Sequence, residues 1–147
     1  MSFWYTPAKE RLANGEFDWD AGDFRALLCM TNTTAGSDQD AGSITAISVL
    51  DEYDGTGYSR AELAGEAVVR EDMYNRAKLS ANSPISFGTV VAAGTRLAAG
   101  VIVYEYIDGT PGNDKPVAWI DTGGFPIGGA SGPFTVGVHP DGLLQVI

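Results

Sequence analysis

At 147 residues the chain fits one domain able to bury a core without metals or disulfides, and 19 acidic against 9 cationic residues leave a net charge of −10. That balance argues against a polyanion such as nucleic acid as partner, because affinity for phosphates rests on cationic side chains. No apolar run approaches the ~20 residues of a membrane span, and the opening residues carry an early charged helix instead of the apolar stretch of a secretory signal.

Phe3, Trp4 and Tyr5 stand side by side before any regular element. Three consecutive aromatics at a terminus need a surface to cover, either this chain's own core or a neighbouring subunit, where Trp and Tyr are enriched. Thr6 and Pro7 read as N-cap and first helical position, residues 8–14 as a short helix, and Gly15 as its stop. Residues 16–23 link this helix to an apolar strand over 24–30, which holds the single Cys29 as a buried thiol with no disulfide partner. Residues 31–42, TNTTAGSDQDAG, are small, polar and acidic and read as a long mobile loop.

Residues 43–53 fit a short helix or a strand, with extended or irregular structure favoured by their Thr, Ile and Val. Residues 54–58, DGTGY, form a tight turn. Over 60–81 charges alternate with apolar positions, predicting a hairpin with one wet face that turns near 72–75. A short strand at 84–91 and a flexible connector at 92–99 follow. Residues 98–122, AAGVIVYEYIDGTPGNDKPVAWIDT, form the strongest β signal: two β-favouring runs, apolar on both faces, joined by turn formers. This pair is the predicted central hairpin. The glycine-rich loop 123–133 folds over one end of the core, a strand with one buried face runs through Phe134, Val136 and Val138, and Asp141-Gly142 turns the chain into a short apolar end. About seven to nine short strands with closely spaced turns predict an all-β fold: a single-domain β-sandwich or partly closed β-barrel spanning 1–147, with 1–15 as an N-terminal arm and short helix.

Catalytic signatures are missing from this pattern. The only histidine, His139, sits on the polar side of a strand directly before Pro140, the place of a surface residue and not of a base in a nucleophilic triad. The GGASG stretch at 128–132 places Ser131 one position too late for a nucleophile elbow. One Cys and one His cannot build a zinc site. Asp18-Asp20-Gly22 and Asp38-Asp40-Gly42 resemble the start of a calcium loop, but the sixth and twelfth places hold Asp23 and Cys29 in one case and Ser43 and Val49 in the other. No cofactor or metal is therefore expected. Paired carboxylates for sugar chemistry have no supporting spacing, and the aromatics Trp19, Tyr53, Tyr58 and Trp119 suit core packing better than a carbohydrate platform.

The order of several segments resembles a family of small tailed-bacteriophage virion structural proteins. In that family a Ser/Thr-x-Ala-Lys-Glu helix and a Gly-Glu-Ile-Asp-Trp turn precede an apolar strand; here they fall on Thr6, Ala8, Lys9 and Glu10, then on Gly15, Glu16, Phe17, Asp18 and Trp19, with Phe17 in the place of Ile. GTGYSR at 55–60, AAGVIVYEY at 98–106, PVAWIDTGG at 116–124 and FTVGVHPDGLLQV at 134–146 are similar to the family's later segments, in the same order. His139 stands near the family's usual Trp, and the loop 31–42 is less hydrophobic than its counterpart.

The resemblance implies a structural virion protein without an active site: a capsid decoration (cement) protein on the outside of the head, synthesised in the bacterial host cytoplasm, binding the major capsid protein, itself a homo-oligomer, with no nucleic acid or membrane partner. Phe3, Trp4 and Tyr5 are the expected interface, and deleting residues 2–5 is expected to abolish binding or oligomerisation while leaving the fold intact. The alternative is a phage tail or head-fibre component, or an adaptor, that binds host surface glycans. A small hydrolase of cell-wall or capsular sugars ranks last.

Overall fold

A computed structural model describes residues 2–91, 96–128 and 131–147. In chain order the strands are β1 (Phe3–Trp4), β2 (Phe24–Met30), β3 (Ala61–Glu62), β4 (Ala67–Glu71), β5 (Arg76–Ser80), β6 (Ile85–Val90), β7 (Leu97–Glu105), β8 (Lys115–Ile120), β9 (Ile127–Gly128), β10 (Gly132–Val136) and β11 (Leu144–Val146), with one α-helix, α1 (Thr6–Ala13), between β1 and β2. All pairings are antiparallel. The fold is all-β, but the described strands form three open sheets and no barrel: a main sheet ordered β1-β8-β7-β2-β3 with β9 beside β7, a pair β10-β6, and a triplet β11-β5-β4.

The expected central hairpin is β7-β8. Val101 faces Ile120, Ile102 faces Trp119 and Val103 faces Ala118, while β2 flanks β7 on its other side. Apolar residues on both faces of a strand demand cover on both sides, and the main sheet has it. Period-2 alternation puts Phe24, Ala26 and Leu28 with Val101, Val103 and Ile120 on one face, and Leu27 with Ile102, Trp119 and Phe3 on the other. On the first face Trp19 and Phe17 pack against Phe24, with ring centroids 4.5 and 5.3 Å apart, and the two small sheets lie alongside. On the second face the segment after β2 closes over Trp119, with Gly36 against its indole and Ala35 buried.

That segment corrects the mobile loop expected at 31–42. Asp38 draws it together: one carboxylate oxygen accepts from the Thr34 hydroxyl (2.6 Å) and the Ser48 amide (2.7 Å), and the Thr34 hydroxyl in turn accepts from the Val49 amide. Its small residues allow close approach to the sheet, and a polar composition disguised a well-bonded cover. Residues 43–53 resolve into a single 3-10 turn at Ile44–Ala46 followed by irregular chain, and Glu52 bridges Cys29.

α1 begins at Thr6 with Tyr5 as its N-cap and no capping side chain, so Thr6 is helical and does not cap; Gly15, at φ 71°, ends it as expected. The hairpin over 60–81 is β4-β5, turned by a 3-10 segment at Asp72–Tyr74 and left-handed Asn75. Of the predicted connector 92–99, residues 92–95 lie outside the described residues and 97–99 already belong to β7. The glycine-rich loop 123–133 likewise contains residues 129–130, outside the described residues, and short β9. The apolar end forms β11 on β5. No described helix is long and apolar enough to cross a membrane.

Candidate interaction surface

The three aromatics at the start of the chain have different fates. Tyr5 is completely buried, its hydroxyl donating to the Ala35 carbonyl at 3.0 Å, and burial raises its phenol pKa far above the ordinary value. Phe3 and Trp4 are half-buried in β1, the edge of the main sheet. Phe3 meets Tyr5 edge-on at 5.3 Å, Trp4 meets Phe17 at 5.9 Å, and the Trp4 indole donates to the Gln145 carbonyl at 3.1 Å. Tyr5 is thus corrected from interface to core, and residues 2–5 are no free arm: deleting them removes an edge strand and a core ring together, contrary to the expectation of an intact fold.

On the first face of the main sheet, where the two small sheets part, a groove of about 760 Å³ opens. Val101 and Ile120 of the main sheet line it together with Ile85, Phe125, Val138 and Leu143. Its polar rim includes His139, whose Nδ1 accepts from the Asp141 amide at 3.1 Å, and Asp141, held by Arg76 at 2.9 Å. His139 is exposed and orients no nucleophile in these contacts. The GGASG stretch falls partly outside the described residues, at 129–130.

The acidic pairs serve the backbone. Asp18 accepts from the Asp20 and Ala21 amides, both at 3.2 Å, and Asp20 accepts from the Val68 amide at 2.9 Å. Among the described residues no three His, Cys, Asp or Glu side chains gather where they could hold a metal ion. Cys29 is buried, and desolvation pushes its thiol up to about 12.

Two features escaped sequence reasoning. One is a half-buried network at the β3 side: Glu52 takes Arg60 in a two-pronged pair (2.8 and 2.7 Å) and accepts from the Tyr58 hydroxyl at 2.9 Å, while that hydroxyl accepts from the Leu28 amide at 3.1 Å. It ties the irregular segment to β2, and no local spacing announces it. The other is the exposure of apolar side chains on the β4-β5 hairpin, whose place the sequence did predict. Val68, Val69, Met73 and Tyr74 are 48, 39, 85 and 61 % exposed. Cross-strand register places Val68 on the same side as Leu79 and Leu144, which are buried, so the hairpin overhangs the body. A signal was present: Val68-Val69 breaks the alternation, and Met73-Tyr74 occupies a turn, where apolar residues serve no core.

This geometry offers docking surfaces: an apolar groove, a half-buried aromatic edge and an overhanging apolar hairpin. No family model matches the chain, and neither a curated protein nor a solved structure matches it.

Proposed function

We propose that this chain is a structural virion protein of a tailed bacteriophage, a capsid decoration protein that binds and stabilises the assembled head through the major capsid protein. The observation that carries this reading is the ordered set of segments resembling that family, which runs from α1 through the turn before β3 to β7, β8 and the β10-β11 end. The physical mechanism is mass action: a protein that binds only the assembled shell stabilises that state over the others. A net charge of −10 suits a basic patch on the partner, through which electrostatic complementarity steers association. Phe3 and Trp4, on the edge of the main sheet, supply apolar contact.

Electron microscopy of the particle that carries this chain tests the reading. Many copies at regular positions on the outer head are expected. A few copies at the tail would favour the tail or head-fibre reading, and absence from the particle would overturn both.

A further inference from the structure

We infer that the groove receives an extended segment of a second, different polypeptide, which adds as a strand to the free edge of β10 and sets alternate apolar side chains on the main sheet. The inference goes beyond the virion reading and does not rest on it.

The groove runs along a strand edge. Four consecutive residues, Thr135, Val136, Gly137 and Val138, line it. Neighbouring side chains of an extended chain point to opposite faces, so the edge of the chain, and not one of its faces, borders the groove. Among the described residues β10 pairs with β6 alone. The Ser59 amide donates to the Phe87 carbonyl at 3.1 Å, which turns the Phe87 backbone away from β10, and the neighbouring Ser86 faces β10 opposite Thr135. By alternation the N–H and C=O of Val136 point away from β6, toward the groove. Across from this edge lies an apolar bed: buried Val101 of the main sheet, with half-buried Ile120, Phe125 and Leu143.

Edge and bed together select the occupant. A donor and an acceptor side by side on a strand edge are met at once by a further strand. The groove, about 760 Å³, holds the roughly three apolar side chains that an extended segment of about six residues turns to one face. A strand that drops into the groove comes without a sheet of its own. Every described strand of this chain is already held in one, so a second copy has none to lend. The occupant is therefore a segment of another protein, apolar at every second position. The net charge of −10 disfavours acidic flanks on that segment and favours basic ones.

Amide exchange of the full chain, resolved by NMR, tests this with two synthetic peptides. One alternates Val and Thr and carries a Lys at each end. The other is the same peptide N-methylated throughout, which keeps every side chain but cannot close against a strand edge. The first is expected to slow exchange of the Val136 amide about 10-fold when present at about ten times its Kd, and the methylated peptide to leave that amide unchanged. Gly137→Trp fills the groove from a position where an added Cβ meets nothing within 4 Å, and is expected to weaken binding of the first peptide at least about 10-fold. Far-UV circular dichroism checks that the variant folds. Equal slowing by both peptides would show that the groove takes apolar side chains without strand pairing, and overturns the proposal, as does no slowing by either. Slowing of the Val136 amide when the chain alone is concentrated would assign the groove to a second copy, which overturns it as well.

Discussion

The chain contains two hairpins of opposite character. In β7-β8 nearly every side chain is buried, both faces are covered, and both strands have neighbours on each side. In β4-β5 only Leu79 is fully buried, β4 lies at a sheet edge, and apolar side chains point into solvent. Both were composed of β-favouring residues. What separates them is cover: the first sits between the small sheets and the segment after β2, while the second overhangs its support. One hairpin holds the fold and the other is available for contact.

The most severe way to break this comparison is Trp119→Ala. Trp119 is 3 % exposed at the centre of the main sheet, and its loss is expected to cost about 3–5 kcal/mol, seen as a lower denaturant midpoint at unchanged slope. A cost under about 1 kcal/mol would remove β7-β8 from its central place. Gly100→Ala sharpens the same point from the other direction. An added Cβ would meet Trp119 ring carbons at 2.5 and 2.6 Å and the Ile120 carbonyl at 2.8 Å, an overpacking expected to cost about 1–3 kcal/mol in the same assay.

The cover segment supplies a pH test. Hydrogen bonds from Thr34 and Ser48 hold the Asp38 carboxyl below its ordinary 3.8. A depressed folded value means that the ionised form stabilises the fold above pH 3.8 and that this share is lost as pH falls through the folded value. Asp38→Asn is therefore expected to be less stable than wild type at neutral pH, with the difference closing in acid; parallel stability curves down to strong acid would contradict this. The smallest expected effect is Val69→Ala on the overhanging hairpin, within about 0.5 kcal/mol by thermal or denaturant unfolding. A loss of several kcal/mol would show that β4 is core after all.

How much of this was legible varied with how local the cause was. The β7-β8 pair, the strand Phe24–Met30 and the Gly15 stop of α1 are written in short-range pattern, and they stand where expected. The 31–42 segment is not, because its order comes from Asp38 reaching Ser48 and from Ala35 lying under Tyr5. The three opening aromatics look alike in sequence, yet only β-pairing to β8 decides that Phe3 and Tyr5 face one side and Trp4 the other. Phe3 and Trp4 were legible as aromatics in need of cover and lie half-buried at the edge of the main sheet, whereas the groove required the arrangement of three sheets. The overhang of β4-β5 depended on where the body ends.

Amide hydrogen exchange of the full chain tests most directly the claim that one hairpin holds the fold and the other overhangs it. Amides of residues 98–105 and 117–120 are expected to exchange slowly, while those of residues 68–74 exchange markedly faster. Exchange at 68–74 as slow as in β7 would contradict it.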